Sequence, residues 1–159
     1  NYYTVLNTTA AQAASSSAWN NTAPTSSVFT VGINTLAATD YIAYVFAEVP
    51  GYSKFGSYTG NGNADGTFVN LGFRPRYILI KRIDSAEDWE IYDSSRDPYN
   101  VGGKFLAAQS AAAETSLTLF DFVSNGIKLR NSGSASNVSG ATYIYAAFAE
   151  APFKYARAR

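Results

Sequence analysis

The 159-residue chain has no histidine, no cysteine and no methionine. Without histidine it lacks the commonest general base and the commonest metal ligand, and no Ser-His-Asp triad can form within it. Without cysteine there are no thiol nucleophiles, iron–sulfur clusters, cysteine-held zinc sites or disulfides. That absence suits an extracellular particle, where disulfides are optional. The missing methionine removes an initiator, so the sequence is expected to come from a processed or longer polypeptide. No run reaches the roughly 18 apolar residues of a membrane span, and no signal-peptide pattern opens the chain. An excess of one charge is also lacking, since 12 Lys and Arg balance 12 Asp and Glu. No field therefore favours nucleic acid or an acidic membrane surface; the densest cationic group is Arg74, Arg76, Lys81 and Arg82. An enzyme built from this chain would have to use carboxylate pairs, Lys or Tyr chemistry, or oxygen-ligated metals.

What the chain does contain is apolar and aromatic: 47% hydrophobic residues, with 12 Tyr and 10 Phe. The periodicity is two. Tyr77–Arg82 is a β-branched apolar run that ends in charge. Trp89–Asp93 alternates, with Trp89, Ile91 and Asp93 on one face and Glu90 and Tyr92 on the other. Ile127–Leu129 alternates again. Between the runs lie turn clusters at 59–66, 124–126 and 131–134, rich in the Asn-Gly and Asp-Gly pairs that supply positive φ to tight hairpins. Residues 10–18 and 107–114 are rich in Ala, Ser and Thr, and read as loops with at most a short helical turn. Short strands with regular turn punctuation predict an all-β fold, an antiparallel β-sandwich.

One strand is written twice. Tyr41-Ile42-Ala43-Tyr44-Val45-Phe46-Ala47-Glu48-Val49-Pro50 aligns with Tyr143-Ile144-Tyr145-Ala146-Ala147-Phe148-Ala149-Glu150-Ala151-Pro152, agreeing at six of ten positions. A fainter match places residues 5–11 against 105–111. Nearly apolar on both sides, the duplicated run has the character of a central strand covered on both faces. Tyr41, Phe46, Tyr143 and Phe148 are expected to pack between sheets, and Phe148→Ala to cost about 3–5 kcal/mol. The repeat is expected as one complete and one half copy, residues 1–50 forming the C-terminal half of a first repeat and 51–159 a complete second one, joined at Val49–Phe55. A half copy exposes strand edges and an open core. Either upstream chain completes it, or a neighbouring copy does so by strand exchange, which repeated head to tail gives a filament.

The string Tyr41–Gly62, then Leu71-Gly72-Phe73-Arg74-Pro75, Ile80-Lys81-Arg82 with Asp84-Ser85 and Trp89, and finally Ser139–Tyr145, resembles a tandemly repeated β-domain of unknown function from tail-fibre and other virion proteins of marine tailed phages. The likeness covers the whole chain, although the first copy lacks the front half of the unit. The resemblance implies a structural or host-surface-binding role in a virion and brings no catalytic residues with it.

Three constellations could carry chemistry. Asn61, Asn63 and Asp65 place oxygens at alternate positions before Gly66, as a calcium loop begins. No acidic residue stands at the twelfth position, Gly72, so a hairpin turn is the favoured reading and no cofactor is expected; calcium is the ion those oxygens would suit. Asp84, Glu87, Asp88 and Glu90, followed by Asp93 and Asp97, could supply a glycosidase-like pair only if two of them converged. As neighbours in an extended segment Glu87 and Asp88 point apart, and no enzyme activity is expected. Exposed aromatics suit sugar rings, because they offer rigid contact area at little entropic cost. Tyr99, Tyr52, Tyr58, Trp19, Tyr92 and Trp89 are the candidates, Tyr99 foremost in Asp97-Pro98-Tyr99-Asn100, with Trp89 taken as structural. The expectation is a non-catalytic, homo-oligomeric module (trimer or filament) of an extracellular virion appendage, binding a host-surface glycan or receptor, with neither nucleic acid nor membrane insertion involved. The alternative is a self-assembling extracellular filament subunit.

Overall fold

The structure, a computed structural model, describes residues 2–32 and 40–150. The chain runs through β1 (Tyr2–Tyr3), β2 (Ala13–Ala14), α1 (Ser16–Trp19), β3 (Ser53–Thr59), β4 (Phe68–Asn70), β5 (Pro75–Arg82), β6 (Trp89–Asp93), β7 (Gly102–Ala107), β8 (Thr115–Val123), β9 (Gly126–Leu129) and β10 (Thr142–Ala149). Every pairing among the described residues is antiparallel. The predicted runs at 77–82, 89–93 and 127–129 fall within β5, β6 and β9, and the Asn-Gly and Asp-Gly clusters lie in the turns between strands.

The layering differs from a two-sheet sandwich. Strands β3 to β10 form one eight-stranded sheet in the order β3-β10-β5-β6-β7-β8-β9-β4. It curls until its two edges meet. At one end of the seam the Thr67 hydroxyl donates to the Thr59 carbonyl at 2.8 Å, and at the other Lys54 Nζ donates to the Asn70 carbonyl at 2.9 Å. A near-barrel of this kind leaves little free edge. Register shifts in β7 and at the end of β10 help the sheet bend. Where β9 begins, the backbone of β4 comes so close that a Cβ on Gly126 would lie 2.0 Å from the Val69 carbonyl oxygen, so only glycine fits.

Alternation decides which side chains fill the interior. Cross-strand partners Ile80 and Tyr145, Ile78 and Ala147, and Tyr58 and Tyr143 share the inner face. They join Tyr92, Phe105, Phe120, Phe122, Ile127 and Leu129 in one core. Tyr58 and Tyr143 stack with ring centroids 4.9 Å apart. Glu90 and Tyr92, which share one face of the alternating Trp89–Asp93 run, also face inward. That alternation separates the two faces without saying which is inside, and burial of Tyr92 corrects its reading as an exposed aromatic.

The two copies of the duplicated strand have opposite fates. The second is β10, hydrogen-bonded to β3 on one side and β5 on the other; its last two aligned positions, Ala151 and Pro152, lie outside the described residues. The first joins no strand over residues 40–48, and only Val49 makes a bridge, to Ser53. Tyr41 and Phe46 are exposed, not packed between sheets. Phe148 is half-buried on the outer face rather than in the core. For Tyr41 and Phe46 the reason is pairing: a strand's side chains reach an interior only when neighbouring strands hold its two edges, and residues 41–48 have none. For Phe148 it is parity, since Tyr143, Tyr145 and Ala147 take the inward positions of β10.

Ahead of that run, residues 5–12 lie against the barrel's outer wall. β1 and β2 pair, Ser15 caps α1 by accepting from Ser17 N at 3.2 Å, and Gln12 N donates to the Ile83 carbonyl at 2.9 Å.

Candidate interaction surface

Each predicted site residue has a definite place. Tyr58 is a core residue: it is buried, and its hydroxyl donates to the Ser136 carbonyl at 2.8 Å. Its place in β3, opposite the inward-facing Tyr143, turns it away from solvent, which corrects the reading of Tyr58 as a surface binder. Tyr52, half-buried, packs edge-on against Phe148 at 6.1 Å. Trp19 closes α1 and donates from Nε1 to the Tyr2 carbonyl at 3.2 Å. Tyr99 lies in the β6–β7 loop and is 82% exposed. Tyr52 and Tyr99 sit at the end of the barrel where β3 begins and β6 ends, whereas Trp19 belongs to the N-terminal segment. Trp89 is buried and donates from Nε1 to the Val5 carbonyl at 3.1 Å.

The Asn61, Asn63, Asp65 loop is a hydrogen-bonded turn. Asn61 Oδ1 accepts from Asn63 N at 3.0 Å, and Asn63 Oδ1 accepts from Asp65 N at 2.9 Å. The Asp65 carboxylate sits 2.8 Å from Lys128 Nζ, which holds its pKa below the usual carboxylate range through hydrogen bond and charge. These oxygens already face N–H groups and an ammonium, an arrangement unlike the oxygen cage of a hard cation. Fully buried Asn137 anchors the turn from the β9–β10 loop: its Nδ2 lies 2.9 Å from Asn61 Oδ1 and 2.6 Å from the Asn131 carbonyl, and its Oδ1 accepts from Asn61 N at 3.0 Å. Nothing in the sequence marks Asn137 or its contact across 76 residues.

The carboxylates are dispersed. Asp84 pairs with Arg82 at 2.7 Å, Asp93 with Arg76 at 3.1 Å, and Asp88 accepts from Gln109 Nε2 at 2.6 Å. Asp97 accepts the backbone N–H groups of Gly103 and Lys104 at 2.7 and 3.0 Å. Glu90 lies inside the barrel, where the Tyr92 hydroxyl donates to it, and burial pushes its carboxyl up to about 7. Lys81 is fully buried under the N-terminal segment, its Nζ donating to the Thr9 and Glu87 carbonyls at 3.0 and 2.9 Å. That burial lowers its pKa. Among the described residues no group of three or more acidic side chains is placed to hold a metal.

The conspicuous surface is therefore apolar. Along residues 41–48 both faces of the segment are open: Ile42 is 82% exposed and Tyr44 80%, while Tyr41, Val45 and Phe46 are each at least 60% exposed. Phe46 leads into an aromatic cluster on the outer face, with Phe148 at 5.9 Å and Phe55 at 6.0 Å. Phe148 in turn meets Tyr77 at 6.0 Å. Glu48 then accepts Phe55 N–H at 3.1 Å, and Ser53 Oγ donates to the Ala47 carbonyl at 2.9 Å. These bonds fasten the end of the segment to β3. Contiguous exposed apolar surface marks an interaction site. The sequence signalled that these residues want cover; it could not say that they lack it.

Among the described residues no helix is long and apolar enough to cross a membrane. No curated protein and no solved structure matches the chain. Residues 1–152, spanning both the N-terminal segment and the barrel, match the model of a domain of unknown function, DUF7483, and the chain belongs to that family.

Proposed function

We propose that the chain is a non-catalytic structural module of an extracellular particle, a unit of a phage tail fibre or similar virion appendage, built from one complete and one half copy of a repeated β-unit. The observation that carries this reading is the exposed apolar segment 41–48 beside a barrel whose interior is filled by side chains. Such a molecule has surface to give to assembly. The dispersal of its carboxylates into separate ion pairs and turns argues in the same direction, because glycoside hydrolysis needs two of them facing one bond. Host-surface contact falls to the barrel end that carries Tyr99, whose ring is free to stack on a sugar.

The test is binding of the purified chain to host-cell surface polysaccharide, compared with Tyr99→Ala. Stacking of one ring is worth about 1 kcal/mol, so a roughly fivefold loss in affinity is expected. Equal binding by both proteins would remove Tyr99 from the reading, and no binding to any host glycan would leave assembly alone. A self-assembling filament subunit is the second reading, favoured by the same exposed segment; fibres that grow from purified chain, seen by electron microscopy, would support it over the appendage.

A further inference from the structure

We infer that residues 41–48 are a β-strand whose seat lies between a β3-like and a β5-like strand of another copy of the barrel unit, joined in line ahead of this one. The inference does not rest on the appendage reading. It rests on two environments for one sequence. In β10 the run Tyr-Ile-x-x-x-Phe-Ala-Glu is held by β3 and β5, with Ile144 opposite Ser57 on one side and Lys81 on the other. Tyr143 in that run is fully buried. In residues 41–48 the same run has no strand on either side, and Tyr41, its counterpart, is exposed.

The correspondence names the partner. A strand apolar on both faces is stable only with both edges paired and both faces covered, and the strands that do this for β10 are known. Spacing argues for an in-line source. The two matching blocks begin at 5 and 41 in one case and at 105 and 143 in the other, so the intervals differ by only two residues. A front half equivalent to 52–100, set ahead of residue 1, would therefore stand in register with residues 1–50. The joint permits it: Val49–Tyr52 passes directly from the segment into β3, with Gly51 at φ +76° making the turn that other residues resist. Glu48 and Ser53 hold that turn. A second molecule of this chain is a poorer partner, because its β3 and β5 already hold β10.

The absence of cysteine allows a clean test of register. The full chain is extended with a second copy of 52–100 ahead of residue 1; the added copy carries Ser57→Cys, and Ile42→Cys is placed in the original chain. Diamide oxidises the two thiols to a disulfide, itself being reduced. The expected result is an intramolecular cross-link forming as fast as the reference pair Ser57→Cys with Ile144→Cys within the complete barrel. Tyr41→Cys, which faces the other side, should close at least tenfold more slowly. Equal closure at 41 and 42, or no closure at either while the reference pair closes, overturns the inference. A mixture of unextended Ile42→Cys and Ser57→Cys chains supplies the remaining outcome. Disulfide between two molecules there, at 42 and not at 41, overturns the in-line source in favour of strand exchange between copies.

Discussion

Glu90 is a carboxyl placed by alternation among barrel-filling side chains, with a tyrosine hydroxyl to bond it and little water to solvate its charge. Its pKa rises from 4.5 to about 7, so between those values the folded state binds the proton that the unfolded chain releases. Its contribution to stability is therefore whole below pH 4.5 and is lost as pH rises through 7. Between pH 5.5 and 8.5 urea denaturation should show the protein losing about 2 kcal/mol. Glu90→Gln should flatten that dependence and be the more stable protein at pH 8.5. Asn137 is the other residue whose removal should exceed its size. Asn137→Ala removes the side-chain bonds between the 60–66 turn and the 130–141 loop, leaving only their backbone bonds, and strands buried polar groups, for a loss of about 3 kcal/mol. Faster amide exchange at Asn61 and Asn63 would check it.

At the scale of the element, β10 separates its two aromatic positions. Tyr143 stacks on Tyr58, accepts from Val138 N and donates to the Ser134 carbonyl, both at 3.0 Å. Phe148 sits on the outer wall under Phe46. Tyr143→Ala should therefore cost about 3–5 kcal/mol. Phe148→Ala should cost only about 1–2 kcal/mol, since a half-buried ring loses part of the burial free energy; the larger figure expected from sequence assumed a core position that the ring does not have. Thermal or urea unfolding of the pair decides the order. The N-terminal segment is tied down at Lys81, where one ammonium serves the carbonyls of both Thr9 and Glu87. Lys81→Ala leaves the Glu87 carbonyl without that donor and the Thr9 carbonyl with the Glu87 N–H alone, and residues 5–12 should become more sensitive to limited proteolysis while the barrel survives.

At the scale of the whole molecule, a filled barrel carries an open apolar flank. Tyr41, Ile42, Tyr44 and Val45 form contiguous exposed surface of the kind that drives association. Sedimentation at rising concentration should show self-association. The double substitution Ile42→Glu, Tyr44→Lys should abolish it without changing the barrel's unfolding transition, because neither side chain is part of the core. Unchanged association would mean that copies meet through another face.

Period-two alternation, turn residues and two similar apolar runs were enough to establish an antiparallel all-β chain. They also placed β5, β6, β9 and β10, the separation of Trp89 and Ile91 from Glu90 and Tyr92 onto opposite faces, and the exposure of Tyr99; which of those faces is the inner one they left open. These properties are local: they arise from side-chain parity and from the backbone preferences of Asn, Asp and Gly. The closing of one sheet into a near-barrel is not local. It depends on where β3 and β4 meet, through bonds from Thr67 and Lys54 that no spacing announces. Tyr58 passed from candidate binder to core for the same reason, since its neighbour Tyr143 lies far away in sequence. The fate of residues 41–48 is the sharpest case. Their sequence specifies a strand as clearly as that of β10 does, yet a strand is a relation between segments, and only the tertiary structure decides whether the partners are there.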